Sequence, residues 1–282
     1  MRASGTHQQP AGTFSDDSSL AFCLAEVICS AEWTTAGLAE RFLQWYRTGY
    51  WSAHGTVFDI GIATREALSR IEAGLPPEEA GGRDEYSNGN GSLMRIAPLL
   101  FEYAGKSPEE KWPLCRSVSS VTHAHVRSVL CCAYFLEFAE RLFRGMNPRQ
   151  AYEALQKEWP AFLNTLNLPA AEWTWLQTLL QGDLAQWPEE EIRSSGYVVH
   201  TLQAAIWCLL RENSFAETVL QAVNLGDDTD TTGAVAGALA GLYYGAEAIP
   251  LEWLEVLARR GDIENLAARL ANTLTKGEYP QE

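Results

Sequence analysis

Apolar residues recur along this chain at spacings of three and four, and runs that alternate apolar with polar are scarce. That periodicity fills one face of a helix and cannot fill one face of a strand. It confines the chain to an all-α fold with many short connections. Leu20, Cys23, Leu24, Val27 and Ile28 mark a first helix, and Leu38, Phe42, Trp45 and Tyr46 a second. Phe58, Ile62 and Leu68 run through a third, ending near Gly74 and Pro76–Pro77, before a polar loop from Pro77 to Asn90. Later helices are predicted over Ser92–Tyr103, Pro108–Val121, His125–Leu142, Pro148–Glu158, Tyr197–Leu210, Phe215–Asn224, Asp230–Tyr244 and Leu251–Leu270.

With 282 residues, 46% hydrophobic and 20% charged, the chain can bury a full core. No repeat of fixed period interrupts it, so a single domain over 1–282 is expected. Residues 1–14 form an approach loop, and 166–195, acidic and Trp-bearing, a variable helical insertion. A net charge of -15 with no basic cluster argues against a nucleic-acid partner. Residues 1–14 have no apolar core of the secretory kind, and the uncharged run Thr231–Ala246 is too short and too rich in Gly, Ala and Thr to span a membrane. The six cysteines include no C-x-x-C pair and sit mostly in apolar helical stretches, as buried free thiols in a reducing, cytoplasmic setting would.

Two acidic clusters stand at predicted helix starts. In Ser15-Asp16-Asp17, a hydroxyl and two carboxylates can cap a helix and favour its positive end. The same oxygens suit a hard cation such as Mg²⁺, Mn²⁺ or Ca²⁺. In Asp227-Asp228-Thr229-Asp230-Thr231, three carboxylates fall within four residues, a repulsive arrangement unless a cation or an Arg neutralises them. An EF-hand is excluded, because no Glu closes the loop at the required position. A solvated acidic cap is the plain alternative. The helix after it is built from Gly233, Ala234, Ala236, Gly237, Ala238, Ala240 and Gly241. Each interior Gly costs about 1 kcal/mol against Ala, so close packing by neighbouring helices is expected. Two oxygen-rich clusters on separate helix starts favour a binuclear centre that activates a water.

Further stretches carry polar chemistry. Ser87 to Ser92 is a Gly-bearing turn expected to open a helix, where backbone N–H groups could cradle a diphosphate. His125 could cap a helix or pack in the core, and Tyr197 could be a core aromatic. His7, His54, His123 and His200 have no better assignment than structural.

Taken in order, Ser15-Asp-Asp-Ser18, Asn88-Gly-Asn-Gly-Ser-Leu-Met-Arg-Ile-Ala-Pro98, Thr122-His-Ala-His125, Ser195-Gly-Tyr-Val-Val199 and Gly226-Asp-Asp-Thr-Asp-Thr231 resemble the motifs of the ADP-ribosylglycohydrolases. The resemblance runs from about Gly5 to the C-terminal region. It implies an orthogonal all-α bundle with two Mg²⁺ or Mn²⁺ ions. It also implies hydrolysis of the glycosidic bond between ADP-ribose and an acceptor, often arginine, on a protein or a small-molecule conjugate. Carried over by position, Ser15, Asp16, Asp17, Asp228, Asp230 and Thr231 would be metal ligands, with Asp227 outside the set. Ser87, Asn88, Gly89, Asn90 and Gly91 would hold substrate, His125 would touch the ribose, and Tyr197 would lie near the nucleoside. On mechanistic grounds of our own, Asp17 or Asp228 would serve as the catalytic base while also binding metal. Members usually carry a helix, a Gly-Asp-Ala-Leu-Gly segment and a Glu ahead of the first cluster, which this chain does not show. The expectation is exposed apolar surface and a tendency to self-associate. A non-catalytic ADP-ribose- or metal-binding module is therefore the alternative function. A hydrolase for a serine or O-acetyl conjugate is a third.

Overall fold

A computed structural model describes residues 5–30 and 33–274. Of the expected approach loop, residues 1–4 lie outside the described residues. The described residues form α-helices joined by turns and short 3₁₀ segments, with no sheet; an isolated parallel bridge links Gly82 and His123. No helix among them is long and apolar enough to cross a membrane.

The chain divides into two compact units, residues 1–133 with 250–282, and residues 134–249. The first unit holds α1 (Asp16–Ile28), α2 (Thr35–Thr48), α3 (Ile62–Glu72), α4 (Pro77–Ala80), α5 (Leu100–Tyr103) and α6 (Pro108–Ser120). The helix α7 (Val126–Phe143) has residues in both units. The second unit continues with α8 (Pro148–Thr165), α9 (Ala170–Leu180), α10 (Val198–Arg211), α11 (Phe215–Asn224) and α12 (Thr229–Tyr244). The chain then returns to the first unit with α13 (Leu251–Val256) and α14 (Arg260–Leu274).

In the first unit, the apolar face of α1 packs on α2 and α14. Leu20, Cys23, Leu24, Leu38, Phe42, Trp45 and Leu266 close that core, each large side chain worth roughly 1.5–3 kcal/mol when fully buried. In the second unit, α10 buries Leu202, Ala205, Ile206 and Trp207 and packs on α11 and α12. Tyr134 and Trp159 meet edge to face, 4.8 Å between centroids. Local signals set many boundaries. The Thr34 side chain accepts from the Gly37 N–H at the start of α2, which ends at Gly49 with φ 71°. Asn147 and Gln150 form a reciprocal capping box on α8.

Four expectations need correction. The helix predicted over Ser92–Tyr103 is a string of turns, a 3₁₀ segment Ala97–Leu99 and the four-residue α5. Pro98 has no N–H to donate and disfavours helical backbone at Ala97. The helix predicted over Leu251–Leu270 is split into α13 and α14. There the Ala258 N–H donates to the Gly12 carbonyl (3.0 Å) instead of continuing the helix, and Arg259 turns to φ 57°. Phe58 lies outside α3 and Ile62 points to solvent, because Asp59, at φ 60°, breaks the chain before Gly61. Finally, α8 runs about two turns past Glu158 and through Pro160, carrying Trp159 and Leu163 into the core at the spacing set by Leu155.

The small-residue helix behaves largely as its composition requires. α12 packs closely on α11 and α10. A Cβ added at Gly233 would stand 2.9 Å from Val223 Cγ1, too close for carbon atoms. At Gly237 and Gly241 the same atom would meet only ordinary contacts at 3.6 and 3.9 Å. All six cysteines are free, five of them buried.

Candidate functional site

The first cluster opens α1. Ser15 occupies the N-cap position, yet its side chain makes no capping bond. Its hydroxyl instead donates to Asp17 Oδ2 at 2.9 Å. Asp16 and Asp17 are 6% and 3% exposed, an unusual depth for adjacent carboxylates at a helix start. The Ser19 hydroxyl donates to the Ser15 carbonyl (2.9 Å) and fixes the backbone beneath them.

The second cluster opens α12. Gly226 and Asp227 both adopt left-handed backbone, at φ 88° and 50°, so the chain turns sharply into the helix. Asp228 is the N-cap, again without a side-chain capping bond. Its backbone is held at both ends: its N–H donates to the Ser194 carbonyl (3.0 Å), and its carbonyl accepts from the Thr232 hydroxyl (2.8 Å). The Ser194 hydroxyl donates to the Gly226 carbonyl (2.9 Å). Asp230 is exposed and Thr231 buried. The turn before α10 lies against this cluster, since a Cβ on Gly196 would stand 3.4 Å from Asp228 Oδ2. Tyr197 follows, its ring 4.9 Å from that of His200 and edge-on to it. His200 Nδ1 lies 2.7 Å from Ser195 Oγ. Burial and the charge of Arg193 lower the His200 pKa, while Asp227 opposes them. His200, taken as structural from the sequence, thus braces the turn that carries Tyr197.

Among the described residues, no three His, Cys, Asp or Glu side chains gather closely enough to hold a metal ion by themselves. Each cluster also contains a hydroxyl, Ser15 in one and Thr231 in the other. These carboxylate and hydroxyl oxygens, free of sulfur and imidazole, suit a hard divalent cation.

In the first unit, the Gly-bearing stretch Ser87–Gly91 is pinned by its neighbours. Ser87 Oγ donates to Asp84 Oδ2 (2.7 Å), and Asn88 Nδ2 to the Glu85 carbonyl (2.6 Å). The Ser128 hydroxyl donates to the Gly89 carbonyl (3.2 Å). The Asn90 carbonyl accepts from the Met94 N–H (3.0 Å), and Asn90 is buried. The Thr122–His125 turn lies alongside: the Ala124 N–H donates to the Gly82 carbonyl at 3.0 Å. His125 caps α7, its Nδ1 accepting from the Arg127 N–H at 3.2 Å. His123 is buried against Gly91, and Arg95, four residues past that stretch, is buried completely. The Thr-His dipeptide and the Arg in the Gly-bearing segment were the signals available for these two; neither announces burial.

Residues 1–279 match the family described as ADP-ribosylglycohydrolase. An ADP-ribosylarginine hydrolase Tri1 of Pseudomonas putida (strain GB-1) is 36% identical over 96% of this chain and 69% of its own length. Its namesake in Serratia proteamaculans (strain 568) is 32% identical over 96% and 70%. An ADP-ribosyl-[dinitrogen reductase] glycohydrolase of Rhodospirillum rubrum is 25% identical over 91% and 78%. A solved structure described as an ADP-ribosylglycohydrolase-related protein complex superposes with a TM-score of 0.79 at 35% identity, over 97% of this chain and 86% of that one.

Proposed function

The chain belongs to the ADP-ribosylglycohydrolase family, and from that premise we propose that it hydrolyses the glycosidic bond between ADP-ribose and an arginine side chain of a modified protein, with two Mg²⁺ or Mn²⁺ ions as cofactors. The resemblance to two ADP-ribosylarginine hydrolases supports arginine as the acceptor. The observation that carries the metal requirement is the buried pair Asp16–Asp17. Two adjacent carboxylates removed from water at a helix start are costly unless a cation offsets them.

Ser15, Asp16 and Asp17 in one cluster, and Asp228, Asp230 and Thr231 in the other, are the assigned ligands. Bound divalent ions would supply Lewis acidity to ribose hydroxyls and to the attacking water. Asp17 and Asp228 are the candidate bases that take that water's proton. The Ser15 hydroxyl on Asp17 Oδ2 and the Ser194 carbonyl on the Asp228 N–H hold these residues in place. The water oxygen bonds to the anomeric carbon as the bond to the guanidine nitrogen breaks, through an oxocarbenium-like transition state; the water gives one proton to the carboxylate and the departing guanidine nitrogen takes one up, which balances the hydrolysis. Ser87, Asn88, Gly89, Asn90 and Gly91 are assigned to the diphosphate, His125 to the ribose and Tyr197 to the nucleoside.

The test is release of ADP-ribose from an ADP-ribosylated arginine peptide, with Mg²⁺ or with chelator. The expected result is metal-dependent release that Asp230→Ala abolishes while the far-ultraviolet circular dichroism stays unchanged; Asp230 is exposed, so its loss should barely touch stability. Full activity of that variant, or of the wild type in chelator, would overturn the metal assignment.

A further inference from the structure

Among the described residues Arg95 is the most deeply buried cation, with no exposed surface. Burial lowers its pKa to about 10, so it stays charged at neutral pH. Among the described residues no carboxylate pairs with it, and its Nε and Nη1 find no partner. Its guanidinium lies 4.7 Å over the Phe42 ring. Nη2 donates to the Val118 carbonyl (3.2 Å) and to Thr122 Oγ1 (2.8 Å). Thr122 is therefore the only side chain to which Arg95 donates a hydrogen bond among the described residues.

Thr122 is also fully buried, and its hydroxyl has one further partner, His123 Nδ1 at 2.9 Å. A guanidinium can only donate, so Thr122 Oγ1 accepts from Arg95. The Thr122 proton then has a single acceptor within reach, His123 Nδ1. Were Nδ1 protonated, a buried hydroxyl would be left without an acceptor, a costly state. Nδ1 is therefore the acceptor, and the ring proton sits on Nε2. Burial and the charge of Arg95 push the His123 pKa down to about 3, which keeps the ring neutral. A Cβ built on Gly91 would stand 2.6 Å from His123 Cε1 and 3.0 Å from Nε2. The Nε2 edge of the ring thus lies directly against the Gly91 backbone. Ser119 secures the other side, 2.9 Å from Ser92 Oγ and donating to the His123 carbonyl at 2.8 Å.

We propose that Arg95, Thr122 and His123 form a buried donor chain that fixes His123 as the Nε2–H tautomer and makes its ring the support on which the Ser87–Gly91 loop rests. Arg95 and Thr122 are positioning residues: they act through His123 on the loop. The consequence for ADP-ribose rests on the assignment of that loop to substrate; the tautomer and the loop contact do not.

The experiment uses the full chain labelled with ¹⁵N. Long-range ¹H–¹⁵N correlation should show His123 with a protonated Nε2 and an unprotonated Nδ1 between about pH 6 and pH 8. Thr122→Val should release Nδ1, shift the Gly91 amide resonance and weaken ADP-ribose binding roughly tenfold by calorimetry. Thr122→Ser, which restores the hydroxyl, should recover all three. Gly91→Ala should lose ADP-ribose affinity while the His123 tautomer persists, and it serves if Thr122→Val does not fold. An Nδ1–H tautomer in the wild type overturns the proposal, as does a Thr122→Val protein with an unmoved Gly91 resonance. A wild type that binds no ADP-ribose refutes the substrate assignment instead, and the tautomer and the Gly91 resonance still decide the donor chain.

Discussion

Two glycines on one face of α12 should respond oppositely to the same substitution. Replacing an interior helical Gly by Ala gains about 1 kcal/mol from backbone entropy alone. At Gly237 the new methyl would stand 3.6 Å from Val219 Cγ2, an ordinary contact, so that gain is kept. At Gly233 it would stand 2.9 Å from Val223 Cγ1, at least about 0.6 Å inside the carbon–carbon optimum. Overpacking of this kind costs about 1–3 kcal/mol and cancels or reverses the gain. Gly237→Ala should therefore stabilise by about 1 kcal/mol, which is roughly 2–4 °C in Tm, while Gly233→Ala leaves Tm unchanged or lowers it. Thermal unfolding followed by circular dichroism, with urea unfolding for the free energies, measures both. Activity should diverge too. Gly233 lies two residues after Thr231, so displacing α12 there moves the proposed ligands Asp230 and Thr231, whereas Gly237 is more than a turn further on. Equal stabilisation by both substitutions would refute the claim that close approach of α11 selects glycine at 233.

The buried imidazole gives stability a pH dependence of defined sign. His123 titrates near 3 in the folded protein against an ordinary value of 6.5, so between those values the unfolded chain binds the extra proton. Stability is fully present above about pH 6.5 and falls as pH drops, by up to about 1.4 kcal/mol per unit, or roughly 2 kcal/mol by pH 5. His200, with its lowered pKa, adds in the same direction. Urea unfolding at several pH values should show this slope, and His123→Gln should flatten it; a wild-type stability flat from pH 7 to pH 5 would contradict it. Thiol titration provides a second check. Burial pushes the thiols of Cys23, Cys131, Cys132 and Cys208 upward, and Cys29 is the half-exposed one. Ellman's reagent should label at most one thiol quickly in the native protein and all six after unfolding; several fast native thiols would contradict the packing of α7 and α10.

Much of this was legible locally. Phe215–Asn224 carries its cap at Ser214 and its apolar stripe within ten residues, and α11 has those bounds. The acidic clusters announced helix starts, and helices α1 and α12 begin there. What escaped depends on partners distant in sequence. The break between α13 and α14 is made by a carbonyl at Gly12, which no window around Ala258 contains. Arg95 is buried because Val118 and Thr122 supply acceptors 23 and 27 residues later; by type alone an Arg belongs at the surface. His200 and His123 take their orientation from Ser195 and Thr122, hydroxyls whose geometry the chain acquires only on folding.

The helix starts themselves separate structural acids from chemical ones. Thr34, Asn147 and Ser214 use their side chains as a cap should, accepting a backbone N–H from the first turn. A bond of that kind is worth about 1 kcal/mol. Ser15 and Asp228 hold the same position with side chains equally able to make it, and neither does. Ser15 turns its hydroxyl to a carboxylate, and Asp228 is fixed through its backbone by Ser194 and Thr232. If capping were the reason for these residues, their side chains would make the capping bond. That neither makes it favours a further role, and oxygen ligands for a divalent cation have the chemistry for that role.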